Sequence, residues 1–223
     1  NYVMGLGIGP ILSSTDATNW VVTDYPGAVS ALIYDNGTYY GCAGGGVLLT
    51  SSNGLSWRTI STGLTNLLRD IATDGKLLVA VGGQAPGPSC IAWGTTNGGD
   101  WNALYLSSPP IIRSVAYGMG LFAAVGEGGE IFTSPEGTNW TLRASGVSSP
   151  FYRIVYSNGI FVAVGYQTIV TSSDGVTWTV RRAGRGGWNF CGAVGRHTVV
   201  VAGQGGKIVQ SGDLRRPVVL RLQ

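Results

Sequence analysis

The stretch that decides the fold is "TSSDGVTWTV", residues 171–180, because variants of it recur along the chain. In each variant a hydroxyl residue stands six positions before a Trp, and an Asp, Asn or Glu stands four positions before it. The copies that end in Trp are STDATNW (14–20), SSNGLSW (51–57), TTNGGDW (95–101), SPEGTNW (134–140) and SSDGVTW (172–178). A sixth copy, SGDLRRP (211–217), has Pro217 in place of the Trp. The spacing of about 40 residues indicates a tandem repeat.

The repeated turn has a physical interpretation. Asp174 is placed to accept hydrogen bonds from backbone N–H groups just ahead of it, and Gly175 is free to adopt a positive φ. Together they would close a β-hairpin. Trp178 then supplies a large apolar surface, which suits packing between neighbouring sheets. We therefore predict that the repeated motif is scaffold.

A second shared segment precedes each motif, as in residues 113–134 and 153–172. It contains three short runs of apolar and β-branched residues, separated by Gly-containing turns and without a helical period. The Trp segment adds a fourth strand. Four strands in about 40 residues, repeated about six times, predict an all-β fold, a β-propeller of about six four-stranded blades.

The first blade is expected to be incomplete. The chain enters blade 1 at its second strand, residues 2–4, so the inner strand of that blade is missing. Residues 1–223 are expected to form a single propeller domain, either complete or excised from a longer chain.

These motifs resemble the Asp-box or BNR-type repeats of sialidases and of photosystem II stability and assembly factors. The resemblance rests on the pattern Ser-x-[Asp/Asn]-Gly-x-x-Trp, preceded by segments such as FVAVG (161–165). The interval from Asp174 to Trp178 is one residue shorter than is usual in sialidases, which favours the short-turn repeat arrays over catalytic sialidases. Such repeats also occur in lectin-like, secreted and phage-tail proteins, so the resemblance implies the fold and leaves the function open.

Composition excludes several classes of function. Charged residues make up only 11% and Gly 37 of 223 positions, which fits a turn-rich β protein and not a disordered chain. The net charge of +3 is too small to predict a nucleic-acid partner. No apolar run approaches the ~18 residues of a membrane span, so no membrane insertion is expected. The three Cys, at 42, 90 and 191, lack metal-ligand spacing, and neither a metal nor a cofactor is expected.

Three Arg residues stand out at the start of the first strand in consecutive blades: Arg69, Arg113 and Arg153. The alignment gives them one equivalent position, occupied by Ala31 in blade 2 and Cys191 in blade 6. Three guanidinium groups at the rim of a central channel would bind an anion or a carboxylate. The alternative is that each Arg bonds backbone carbonyl groups of the neighbouring blade.

Two loops depart from the repeat on the side where the first strands begin. One is the insertion GGQAPGPSC (82–90) in blade 3. The other, RRAGRGGWNF (181–190), brings Arg185 close to Trp188 in sequence. A basic and aromatic loop would suit a sugar face, an acidic glycan or an acidic loop of a partner. The alternative is a solvated hairpin with Trp188 packed on the neighbouring blade.

Groups suited to catalysis are scarce. The single His, His197, is predicted in a turn, and most carboxylates fall in repeated turns. Glu127 and Glu130 remain, in a loop of blade 4 near Arg113. A sialidase-type site would need a Tyr nucleophile with an acidic partner, for which Tyr117 or Tyr152 with Glu127 is the candidate set.

Three functions are compatible with these features. The leading hypothesis is a non-catalytic recognition or adhesion module of secreted, cell-surface or phage-tail type, which binds a surface glycan or a partner protein. It predicts an extracellular or virion-associated location and allows an oligomer or a larger assembly. The second is an assembly factor holding an acidic peptide at the Arg-lined rim, and the third is a sialidase-type glycosidase. The candidate binding residues are Arg69, Arg113, Arg153, Arg185, Trp188 and Glu127.

Overall fold

The computed structural model describes residues 1–5, 9–25, 27–84, 86–97, 99–106, 111–181, 189–194, 198–204, 208–211 and 220–222. Regular structure in these ranges is almost entirely β-strand. None of the helical segments there is long and apolar enough to cross a membrane. Each sheet is an antiparallel meander in which strands adjacent in the chain are adjacent in space.

Residues 1–108 form one compact unit with three sheets. The strands are β1 (Tyr2–Gly5), β2 (Ile11–Ser14) and β3 (Val21–Val22); β4 (Val29–Asp35), β5 (Thr38–Ala43), β6 (Val47–Ser51) and β7 (Arg58–Ser61); β8 (Leu68–Thr73), β9 (Leu77–Gly83), β10 (Ser89–Thr95) and β11 (Asn102–Leu106).

Residues 109–223 form a second compact unit with three four-stranded sheets. The strands are β12 (Ile112–Gly118), β13 (Leu121–Gly126), β14 (Ile131–Ser134) and β15 (Thr141–Arg143); β16 (Phe151–Ser157), β17 (Ile160–Gly165), β18 (Thr168–Ser172) and β19 (Thr179–Arg181); β20 (Asn189–Val194), β21 (Val199–Gly203), β22 (Ile208–Ser211) and β23 (Leu220–Leu222).

The sheet pattern confirms the predicted all-β fold. Within the described part of the chain, five sheets have four strands and one has three. The three-stranded sheet is the first, and its strand β2 leads into the repeated turn as the third strand does in the other blades. Its inner strand is therefore the missing one, as expected from the sequence.

The repeated turn has the predicted geometry. Asp174 Oδ1 accepts the N–H groups of Val176 at 2.8 Å and Thr177 at 2.7 Å, and Gly175 has a φ of 71°. Ser172 Oγ accepts the N–H of Gly175 at 2.8 Å. The hydroxyl and the carboxylate thus satisfy the N–H groups that the tight turn leaves without strand partners, which is why both residue types recur.

The Trp of the repeat packs between neighbouring sheets in blade 5. Trp178 is 9% exposed, and its Nε1 donates to Gly175 O at 3.2 Å. It belongs to a buried cluster that combines residues of two blades: Ala123, Val125, Ile131, Phe151, Ile154, Phe161, Ala163 and Val170. The same motif position is far more exposed in blade 1, where Trp20 is 37% exposed. The turn sequence therefore recurs in both blades, whereas the exposed fraction of its Trp differs between them.

The acid response of the fold is predicted to include Asp174. The N–H groups of Thr177 and Val176 hold the pKa of this carboxyl at about 2, below its ordinary value. A pKa lowered by folding stabilises the protein above the ordinary pKa near ~4, and this contribution disappears as the pH falls through about 2.

Urea unfolding followed at several pH values between ~5 and ~2 checks this expectation. Asp174→Asn keeps an Oδ1 acceptor, as Asn53 does in blade 2, and should lose part of the stability decrease that wild type shows on acidification. Identical pH dependence in both proteins would contradict the assignment.

Candidate functional site

The second unit brings together Arg113 and Glu127, two of the candidate binding residues. Arg113 Nε donates to Glu127 Oε1 at 2.6 Å, and Arg113 Nη2 donates to the same oxygen. The side chains are 31% and 29% exposed. The sequence placed Glu127 near Arg113, and the structure confirms that they are in contact. The guanidinium is therefore partnered by a carboxylate of its own blade.

Local backbone features hold this pair in place. β12 has a bulge between Ile112 and Ser114, and Arg113 is the extra residue. The loop from Gly126 to Glu130 is closed by its own hydrogen bonds: Gly126 N–H donates to Glu130 O at 3.1 Å, and Gly128 N–H to Glu130 Oε2 at 2.9 Å. The loop is thus built to present Glu127 to the bulge.

Tyr152 of blade 5 adjoins the pair, and Tyr166 of the same blade is close enough to Tyr152 to affect its pKa. Arg113 Cζ lies 6.0 Å from the ring centroid of Tyr152, at the outer limit of a cation–π contact. Burial, and then the Glu127 carboxylate, raise the pKa of Tyr152; Arg113 opposes this and Tyr166 adds to it, and the net pKa is raised, so the phenol stays protonated near neutral pH. Tyr166 is 38% exposed, and its N–H donates to Pro150 O at 2.9 Å. We refer to Arg113, Glu127, Tyr152 and Tyr166 as the Arg113 cluster.

The loop that carries Tyr166 is strained. Only Tyr166 and Gln167 connect β17 to β18, and Gln167 has a φ of 52°. A residue other than Gly is uncommon in this left-handed region of φ and costs of order 1 kcal/mol or more. The strained φ therefore belongs to the tight turn between β17 and β18 that carries Tyr166.

The predicted equivalence of Arg153 with Arg69 and Arg113 is wrong by one residue. Strand pairing places Tyr152 at the bulge of β16, the position that Arg113 has in β12 and Arg69 has in β8. The sequence alone does not show this offset of one residue, because pairing with the second strand fixes the register of the first strand. The Cα partners that show it are Ile112↔Gly126, Ser114↔Val125, Phe151↔Gly165 and Arg153↔Val164. Arg153 therefore corresponds to Ser114.

In the first unit, Arg69 makes a structural contact. Its Nε donates to Gly83 O at 3.1 Å, so the side chain ties the start of β8 to the end of β9. The sequence alternative of an Arg bonded to backbone carbonyl groups is thus realised here. The acceptor belongs to the blade of Arg69 itself, whereas the expected acceptor was in a neighbouring blade.

The blade 3 insertion forms a pocket of about 360 Å³. Its walls are residues 65–67, which precede β8, and the loop after β9, with Tyr105 of β11 contributing the aromatic surface. The lining residues are Thr65, Asn66, Leu67, Gln84, Pro86, Gly87, Pro88 and Tyr105, none of which is charged. We call this the Tyr105 pocket. The sequence pointed to the insertion but not to Tyr105, whose only signal is an aromatic residue on the last strand of the same blade.

Most described carboxylates hold the backbone in place. Those that accept backbone N–H groups include Asp16, Asp24, Asp74, Glu130, Glu136 and Asp174. Tyr117, one of the two proposed Tyr nucleophiles, stacks on Phe122 at 4.6 Å, at the other end of β12 from Arg113. The structure thus brings Tyr152 to Glu127 but not Tyr117. Within the described ranges no group of three His, Cys, Asp or Glu could hold a metal ion.

Three residues with predicted roles lie outside the described part of the chain: Arg185, Trp188 and His197. Their roles stay predictions. In the sequence, Cys42 and Cys191 stand where the repeats have apolar or inward strand residues, which predicts that both thiols are buried. Cys42 is buried as predicted, and the side chain of Cys191 is outside the described part.

Comparison with known proteins identifies the class of fold. No protein-family model matches the sequence, and neither does any curated protein. Among solved structures, an ancestral GH74 enzyme superposes with a TM-score of 0.77 at 14% identity, over 99% of this chain and 36% of that chain. YCF48 bound to D1 peptide gives 0.67 at 16% identity, over 90% and 70%, and the RRP9 WD40 repeats give 0.67 at 12% identity, over 87% and 63%.

Together with the repeated four-stranded sheets, these likenesses define the chain as a β-propeller. The chain spans little more than a third of the GH74 enzyme. Identities of 12 to 16% establish the fold alone, and these relatives include both enzymes and binding proteins. Function therefore has to be argued from the residues of the sites.

Proposed function

We propose that this propeller is a non-catalytic recognition module, which binds a surface glycan or a partner protein through the loops where its first strands begin. The observation that carries the proposal is the bond between Glu127 and Arg113. Glu127 is a carboxylate that the repeated turns leave available for chemistry, and it is held by a guanidinium of its own blade.

Catalysis on a glycoside would need more than this loop offers. Glycosidases use two carboxyl groups that face the sugar, or a Tyr with an acidic partner. Glu130 bonds the N–H of Gly128, and Glu127 bonds Arg113. Both carboxylates thus serve the loop, which supports a binding function over a catalytic one.

The Arg113 cluster has the chemistry of a contact surface. It joins a neutralised charge pair to a half-buried phenol and to the exposed ring of Tyr166. Arg and Tyr are the residue types that most often dominate binding energy, since each combines apolar area with hydrogen-bonding groups. Hydrogen bonds and a short loop hold the groups in place before binding, which lowers the entropy cost of association.

The remaining candidates extend this proposal. We propose that further contacts to the ligand are made in the blades of the other candidate residues, by Arg69, Arg153, Arg185 and Trp188. We propose that the repeats belong to the Asp-box, BNR-type class, and the geometry of the hydroxyl–Asp–Gly turn supports this proposal. A secreted, cell-surface or phage-tail setting remains our proposal for where such a module acts.

Binding to an acidic peptide is the second candidate function. The likeness to YCF48 bound to D1 peptide favours a peptide ligand. The Arg113–Glu127 pair argues against a strongly acidic one, because the positive charge of Arg113 is already compensated. Titration with an acidic peptide at low and high salt tests this candidate function. Ionic recognition of the peptide should weaken steeply as the salt concentration rises, whereas binding of a neutral ligand should not.

The proposed function is tested by glycan-array binding and partner pull-down with wild type, Arg113→Ala and Trp188→Ala. We expect wild type to retain a ligand, and at least one variant to lose about tenfold or more in affinity, the size of a typical hot-spot loss. Arg58→Ala, at an exposed Arg on β7, is the control and should bind as wild type does. Unchanged binding by both variants would remove these residues from the binding surface.

A further inference from the structure

We infer that the Tyr105 pocket is a binding site for a neutral saccharide. This inference rests on the proposed recognition function and deepens it by naming one site and the class of its ligand. It concerns the first unit alone and residues outside the Arg113 cluster.

The pocket is built into the fold. Asn66 Nδ2 donates to Pro88 O at 2.9 Å and joins the two walls, and Gly83 N–H donates to Leu67 O at 3.0 Å below them. Gly87 N–H donates to Gln84 O at 2.7 Å and closes the insertion into a turn. The walls are thus ordered before any ligand arrives, which reduces the entropy lost on binding.

Close backbone contact explains the glycines at the base of the insertion. A Cβ at Gly82 would overlap the carbonyl oxygen of Leu67. Gly83 has a φ of 148°, and a Cβ there would come within 2.8 Å of Ser89 Cα. These glycines therefore let the backbone before β8, the end of β9 and the start of β10 pack closely at the base of the insertion.

The lining has the chemistry that recognises an uncharged sugar. Tyr105 is 50% exposed and offers a ring face on which the C–H groups of a pyranose can stack. The amides of Gln84 and Asn66 and the hydroxyl of Thr65 belong to groups that both donate and accept hydrogen bonds, as sugar hydroxyls do. The lining thus combines an aromatic face with polar groups, which matches the mixed apolar and hydroxyl-bearing surface of a saccharide.

Charge decides against an anionic ligand. None of the described lining residues carries a charge, and Arg69 donates to Gly83 O at the base of the insertion. A sialic acid or an acidic peptide would lose hydration of its carboxylate without gaining a charged partner. The volume of about 360 Å³ lies at the lower end of the range for ligand pockets, which suits a short saccharide.

The inference is tested by saturation-transfer NMR and titration with lactose, cellobiose, maltose and chitobiose, with sialyllactose as the anionic counterpart of lactose. We expect at least one neutral disaccharide to bind wild type. Tyr105→Ala should weaken it by about tenfold, whereas Tyr105→Phe, which keeps the ring face, should stay within about threefold. Tyr34→Ala, at another exposed Tyr of the same unit, is the control and should bind as wild type does.

Each outcome bears on one proposal. The saccharide site would be overturned if no disaccharide bound in a Tyr105-dependent way, or if sialyllactose bound more tightly than lactose. A peptide that binds in a Tyr105-dependent way would overturn it as well. If the array and pull-down still retain a ligand that Arg113→Ala or Trp188→Ala releases, the recognition function stands without this site. If neither wild type nor any variant retains a ligand in the array or the pull-down, the recognition function itself fails.

Discussion

Trp178→Ala is expected to lower the free energy of unfolding by about 3–5 kcal/mol, the usual cost of removing a large buried side chain from a packed core. Trp178 is 9% exposed and packs among residues of blades 4 and 5. Its loss would leave a cavity between two sheets and remove the hydrogen bond from Nε1 to Gly175 O. Urea unfolding followed by circular dichroism measures the change.

Trp20 provides the matched control for that experiment. It has the same place in the motif, and its Nε1 makes the same kind of bond, to Ala17 O at 3.2 Å. Because Trp20 is 37% exposed, Trp20→Ala should cost about 1 kcal/mol. Equal losses for the two variants would contradict the view that burial between sheets, and not the motif itself, determines the contribution of each Trp.

Gly165→Ala is the second change with a large expected effect. A Cβ at the end of β17 would overlap the carbonyl oxygen of Pro150, which is a backbone atom and cannot rotate away. The same carbonyl accepts the N–H of Tyr166 at 2.9 Å, so the displacement would also break that bond. We expect a loss of about 3 kcal/mol or more in the free energy of unfolding.

Gly126 occupies the equivalent position in blade 4 and is the control for Gly165. A Cβ there would meet Ile111 O at 3.4 Å and the flexible Glu130 side chain at 2.9 Å. Gly126→Ala should therefore cost about 1 kcal/mol, since the side chain can move. If Gly126→Ala were as damaging as Gly165→Ala, close backbone approach would not be the reason for Gly165.

The scaffold could be predicted from the sequence because its signals are local. The turn at Asp174 needs a hydroxyl, an acceptor and a Gly within four residues, and each of these types has a direct hydrogen-bonding or φ requirement. Repetition then reveals the number of blades and the missing strand of blade 1. The proximity of Glu127 to Arg113 followed from the same topology, because the loop after the second strand lies next to the start of the first.

The candidate sites were less accessible to sequence reasoning because they depend on pairing and exposure. Arg113 lies at the bulge of β12, whereas Arg153 follows the bulge of β16 by one residue, and only the partners on the second strand show this offset. The Tyr105 pocket depends on the hydrogen bond from Asn66 to Pro88 O and on an exposed ring in β11. Neither feature leaves a pattern in the repeat.

The proposed function requires that this propeller bind its ligand without converting it. Incubation of wild type and Glu127→Gln with neutral oligosaccharides and a fluorogenic sialoside, with product release followed by fluorescence and mass spectrometry, tests this requirement. We expect neither protein to release product above the level of the buffer blank. Product released by wild type and abolished by Glu127→Gln would contradict it and would identify a glycosidase.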